Sequence, residues 1–132
     1  MKALDTNVIV RFLVNDDEGQ AARAKRLLAR AEAGGEPLLI TDTVLLELMW
    51  VLSKTFRVRR RELLDGLELL AGMPALCFED YELVIELIAR GRASAADLPD
   101  LLIGLRAAAL GCETTLTFEK GLPATGLFAL AR

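Results

Sequence analysis

The stretch that decides the fold is Asp97-Leu98-Pro99-Asp100-Leu101-Leu102-Ile103-Gly104-Leu105-Arg106-Ala107-Ala108-Ala109-Leu110-Gly111-Cys112-Glu113-Thr114-Thr115-Leu116-Thr117. It reads as one helix feeding one strand. Asp97 suits the N-cap, Pro99 the first turn, and Asp100 the third helical position, where a carboxylate meets unpaired backbone amides. Gly111 closes the helix, and the threonine-rich Cys112–Thr117 predicts a strand.

The same alternation continues outward in both directions. Tyr81, Val84, Ile85 and Ile88 predict a helix ended by Gly91, with a short strand, Ala75–Phe78, before it. Leu63, Leu64, Leu67 and Leu70 mark the inner face of a helix over Arg59–Leu70. Pro37–Thr41 predicts a strand running into Asp42 as a helix cap, and Val44, Leu45, Leu48, Val51 and Leu52 give that helix one apolar face. Glu18–Ala33 is helical through Ala24, Leu27, Leu28 and Ala31 and is stopped by Gly34-Gly35. Lys2–Leu4 is a buried-strand signal ending at Asp5, and the helix after it takes Thr6 or Asn7 as its cap. The tail, Gly121–Arg132, reads as a loop with a short edge element. No repeat or linker interrupts this pattern, so residues 1–132 form a single α/β domain, a parallel sheet with helices on both sides.

The composition removes several chemistries. With 0 histidines, Ser–His and Cys–His triads, histidine-ligated zinc and histidine general bases are excluded. Hydrolytic chemistry must rest on carboxylates, with a hard, oxygen-seeking cation as the natural companion. A net charge of −3 argues against a passive nucleic-acid coat, but not against a nuclease with its acids gathered in a metal site. The longest apolar run, Val44–Leu52, is broken by Glu47, and Asp5 and Asn7 interrupt any leader; no membrane span and a cytoplasmic protein are expected. Cys77 and Cys112, without a C-x-x-C spacing, read as reduced core thiols.

Ligands of open α/β sheets bind beyond the carboxyl ends of the strands, and the acids fall there. Asp5 follows the first strand and Glu119 lies two residues past the last. Asp97 and Asp100 open the helix that feeds that strand, one turn apart, and Glu47 sits at the margin of an apolar stripe, aimed at the sheet edge. Two carboxylates about 5 Å apart repel by roughly 3 kcal/mol at an effective dielectric of 20. A group of three or four therefore calls for protons or a divalent ion, with Mg2+ or Mn2+ the better guess. Each acid also has a plain structural use, as a cap or a solvated side chain; their common placement carries the argument. The arginine run Arg57, Arg59, Arg60 and Arg61 reads as a solvated helix start, with an RNA-backbone contact as the alternative.

Four ordered motifs resemble the PIN-domain family, specifically its VapC-type toxin ribonucleases. They are Ala3-Leu4-Asp5-Thr6-Asn7-Val8, Thr43-Val44-Leu45-Leu46-Glu47-Leu48, Ala96-Asp97-Leu98-Pro99-Asp100-Leu101-Leu102-Ile103-Gly104 and Thr115-Leu116-Thr117-Phe118-Glu119-Lys120. The resemblance implies a three-layer α/β/α fold with a short central parallel sheet and a Mg2+-dependent endoribonuclease, Mn2+ substituting. By position, Asp5, Asp100 and Glu47 resemble the metal ligands, and Glu119 a fourth catalytic acid where the family usually has Asp. Asp97 resembles an accessory acid, and Asn7 and Thr117 residues that orient neighbours or water. The resemblance also implies an RNA substrate and a cognate antitoxin that holds the chain inactive.

Two competing readings remain at this level. A catalytically weak PIN-like domain working by partner binding is one, kept open by Glu119. A receiver-like signalling domain with Asp80 as phospho-acceptor is the other, but it needs an acidic pair after the first strand where this chain has Asp5-Thr6-Asn7. Trp50 and Phe56, read as exposed, suggest a homodimer.

Overall fold

The computed structural model describes residues 1–132. Six helices surround short parallel strands: α1 (Thr6–Val14), α2 (Glu18–Gly34), β1 (Leu38–Ile40), α3 (Asp42–Lys54), α4 (Arg60–Ala71), β2 (Leu76–Phe78), α5 (Tyr81–Ala93), α6 (Leu98–Ala109), β3 (Thr115–Thr117), a 3-10 turn (Leu122–Thr125) and β4 (Phe128–Leu130). This is a three-layer α/β/α arrangement. β1 and β2 pair in parallel with Leu39 opposite Cys77, and β3 and β4 pair in parallel with Leu116 opposite Ala129. The predicted Lys2–Leu4 strand is reduced to one parallel bridge, Ala3 to Leu39, held by Leu4 N–H to the Leu39 carbonyl and Leu39 N–H to the Lys2 carbonyl, both 2.9 Å. The tail is more ordered than a loop, because β4 gives β3 its only ladder partner.

The strands are short because Asp5, Asp42, Asp80 and Glu119 come so soon after them, and the helices supply most of the packing. Twenty-seven buried apolar residues form one core, leucine above all, including Leu45, Leu48, Leu67, Leu87 and Leu101. Each such side chain contributes about 1.5–3 kcal/mol on burial. Gly104 sets the height of α6 over β4: a β-carbon there would stand 2.8 Å from the Phe128 ring and 3.0 Å from Leu127 Cβ.

Several local expectations are corrected. The cap of α3 is Thr41, whose hydroxyl accepts from Val44 N–H at 3.3 Å; Asp42 is the first helical residue and uses its carboxylate elsewhere. Of the caps open to α1, the one used is Asp5, in keeping with the plain structural use its carboxylate also has, and neither Thr6 nor Asn7. Gly91 does not end α5, which runs to Ala93; it is buried where a β-carbon would meet Leu98 and Leu64 at 2.7 and 2.8 Å, so its small size serves packing. The inner face of α5 is Leu83, Val84, Leu87 and Ile88, leaving Tyr81 and Ile85 in solvent. Cys112 is exposed, not a core thiol, and Cys77 is half-buried; both are free. Trp50 is exposed as expected, whereas Phe56 packs partly against the core. No helix is long and apolar enough to cross a membrane.

Candidate active site

Asp97, Asp100 and Glu119 line one open cleft of about 520 Å³, with Ser94, Leu122 and Thr125. Asp97 occupies the N-cap position of α6, yet its side chain makes no capping hydrogen bond. Pro99 in the first turn removes one amide that would otherwise need a partner. Asp100 points from the first turn of α6 into a half-buried setting. Its carboxyl titrates above the usual range, first because burial penalises the charge, then because Asp97 and Glu119 repel it. Thr117 at the end of β3 accepts the backbone N–H of Glu119 through its hydroxyl at 3.0 Å.

No cation inside the protein answers these charges. None of the three acids is in an ion pair. Two arginines border the cleft but face carbonyls: Arg60 donates to the Gly91 and Ser94 oxygens at 2.9 and 3.0 Å, and Arg90 to the Thr125 oxygen at 3.0 Å.

Asp5 is exposed and accepts from Thr6 N–H at 2.8 Å through one oxygen, leaving the other free. Thr6 is almost fully buried, and its hydroxyl has no hydrogen-bond partner. An unpaired buried hydroxyl costs about 1–3 kcal/mol, so this position next to Asp5 favours a bound water or ligand. From the sequence Thr6 reads only as a helix cap; its place between Asp5 and Asn7 is the signal for more. Asn7 is exposed and lines a groove between α1 and α2 with Arg11, Gln20 and Arg23. Glu47 is exposed on α3 and makes no hydrogen bond or ion pair; its carboxylate is free in water rather than confined to the sheet edge, and it is not part of the Asp97–Asp100–Glu119 cleft.

The donor set suits a hard divalent cation: oxygen only, with an excess of negative charge. It is not a finished cage, since no three acids converge tightly enough to hold an ion as they stand. Asp97, Asp100 and Glu119 are brought together; Asp5 and Glu47 do not line that cleft, and they stand at the cap of α1 and on α3, which pack on each other, while α3 also packs on α6.

A second acidic group was not anticipated. Asp42 after β1 and Glu79–Asp80 after β2 gather around Arg106 of α6. The guanidinium bonds Asp42 at 2.6 Å and lies 3.5 Å from Asp80 and 4.0 Å from Glu79, while Glu79 accepts from Asp42 N–H at 3.0 Å. Asp80 also caps α5 through Leu83 N–H at 3.1 Å. A phospho-acceptor role for Asp80 loses its footing, because this carboxylate is already engaged by a helix amide and an arginine.

Comparison with curated proteins and with solved structures finds no significant match. The family model of the PIN domain matches residues 2–126, taking in all four motifs and every acid of the cleft. The chain therefore belongs to the PIN-domain family, whose members are generally nucleases.

Proposed function

We propose that this protein is a divalent-metal-dependent endoribonuclease, the toxin of a toxin–antitoxin pair acting in the cytoplasm. The observation that carries the reading is the cleft in which Asp97, Asp100 and Glu119 stand without an internal cation. Asp100, Asp5 and Glu47 are the residues that would hold Mg2+, or Mn2+ in its place. When bound, the ion supplies charge neutralisation at the phosphate and a more acidic water. Glu119, its backbone fixed by Thr117, orients the attacking water and takes its proton. Asp97 adds negative charge at the mouth of the cleft, and its unbonded carboxylate is free to hold water.

An open acidic cleft also suits inhibition by a partner segment that inserts an arginine or lysine among the carboxylates. Trp50 on α3, Ile103 on α6 and Leu110 just after it are exposed, which favours pairing of two copies. The direct test is cleavage of a mixed RNA pool by the purified protein with Mg2+, with chelator, and with Asp100→Asn. Cleavage that needs Mg2+ and Asp100 supports the nuclease; cleavage indifferent to both refutes it. Harmless expression of a strongly cleaving protein would remove the toxin assignment and leave the nuclease one.

A further inference from the structure

α2 carries arginines at 23, 26 and 30. At 3.6 residues per turn these spacings place the three on one face, within an arc of about 60° and over about 10 Å of helix. All three are exposed, and none makes an ion pair or side-chain hydrogen bond. The acids of the helix, Glu18 and Glu32, fall on other faces. In a chain of net charge −3, three aligned and unanswered guanidiniums form a distinct positive stripe.

The stripe starts at the groove that opens next to Asp5, one of the metal ligands proposed above. Arg23 lines the groove of about 330 Å³ between α1 and α2, with Asn7 on the opposite wall, two residues beyond Asp5. Arg11 in that groove is already paired with Asp16 at 2.9 Å and with Gln20 at 2.6 Å, so Arg23 brings the free charge. Only Gly35–Pro37 separate the end of α2 from β1, so α2 runs toward the base of the strands. The stripe thus leads from Asn7 at the rim away from the carboxylates.

We propose that Arg23, Arg26 and Arg30 are a track for the phosphates of a single RNA strand whose neighbouring linkage lies at the acidic cleft. This rests on the ribonuclease reading above. Guanidinium forks match phosphate oxygens bidentately, and a line of them fixes the direction of a strand without reading its bases. The other run of exposed arginines, Arg57, Arg59 and Arg61, does not form such a line: Arg57 sits at φ 53° in the loop before α4, and Arg60 between the other two is bound to carbonyls.

The test compares the parent with Arg23→Gln/Arg26→Gln/Arg30→Gln and with Arg57→Gln/Arg59→Gln/Arg61→Gln, two variants of equal net charge. Binding of a fluorescein-labelled, uncleavable 2′-O-methyl RNA is followed by anisotropy over a salt series without divalent metal. Each phosphate contact to a single strand contributes about 0.7 to the slope of log K against log salt, so the α2 variant should lose about 2 from that slope. The control variant should keep it. In cleavage of long RNA, the α2 variant should show a raised KM with little change in kcat. Equal losses in both variants would reduce the effect to net charge and overturn the track. A parent-like RNA slope combined with lost binding of poly-L-glutamate would assign the stripe to an acidic protein, which also overturns it. If the parent neither binds nor cleaves RNA, the ribonuclease reading fails first; if it cleaves and the α2 variant binds like the parent, only the track fails.

Discussion

Two groups of acids sit at the strand ends, and they meet the same electrostatic problem in opposite ways. Asp42, Glu79 and Asp80 surround Arg106, with a 2.6 Å bond to Asp42 and further contacts on the same guanidinium. Asp97, Asp100 and Glu119 surround open space, and Asp100 is pushed toward its protonated form. The first group has a cation of its own: Arg106 offsets part of its negative charge, and the contacts tie α6 to the starts of α3 and α5. The second is balanced only by something from outside. Carboxylates gathered without a partner cost stability, and on the function proposed above these three are kept for a bound cation.

The largest effect expected is on the open group. Asp100→Asn should lower Mg2+-dependent cleavage by at least on the order of 10²-fold, with Asp5→Asn similar and the double variant far from additive if, as proposed, both serve one ion. Glu119→Gln should fall less, by about tenfold. Circular dichroism and melting of each variant separate lost chemistry from lost fold. Parent-level cleavage by Asp100→Asn would remove the open group from the active site.

Next comes the closed group. Arg106→Met leaves Asp42 and Asp80 facing each other without their cation and should cost about 1–3 kcal/mol in urea unfolding. Adding Asp42→Asn should restore part of that loss. If Arg106→Met is as stable as the parent, the closed group is not a brace and the contrast drawn between the two groups collapses.

How far the sequence spoke for these groups depends on what each residue needs. The open group was legible because its acids follow strand signals or open a helix in α6, and strand ends are where such folds bind ligands. The closed group was not, because Asp42 and Asp80 look like ordinary caps and Arg106 like any cation in a last helical turn. Only the antiparallel packing of α3 and α6 brings them together, and periodicity does not report that. The helices were readable from their leucines, whereas the first strand shrank to one bridge and Cys112 turned outward. Those are matters of how many neighbours a short segment finds, not of its own pattern. Glu47 shows the limit most clearly: its position on α3 follows from the helix period, but its exposure does not.

A smaller effect distinguishes the groups by pH. The Asp100 carboxyl titrates above its unfolded value, so its ionisation opposes folding when no cation is present. Its contribution is favourable below the unfolded pKa and is lost as pH rises through the raised folded pKa. Without divalent metal, Asp100→Asn should therefore melt higher than the parent near pH 7, with the gap closing toward about pH 4. Mg2+ should shrink the gap at pH 7 by favouring the parent's carboxylate. A gap that is constant with pH would mean that Asp100 is not strained by its neighbours.

The smallest effect expected is the most selective, because it compares the same residue type at the same helix position in the two groups. Asp80 and Asp97 are both N-cap residues. Replacing a bonded aspartate cap by alanine costs about 1 kcal/mol, since an amide of the first turn loses its acceptor. Asp80 is such a cap, bonded to Leu83 N–H at 3.1 Å and facing Arg106, so Asp80→Ala should show that cost or somewhat more. Asp97 makes no capping bond and repels Asp100, so Asp97→Ala should change stability by less than about 0.5 kcal/mol without metal. It should also lower the pH at which Asp100 loses its proton, because one of the two like charges is gone. Paired urea titrations of the two variants decide the matter. A loss near 1 kcal/mol for Asp97→Ala would make this aspartate an ordinary cap, and the open group would then consist of Asp100 and Glu119 alone.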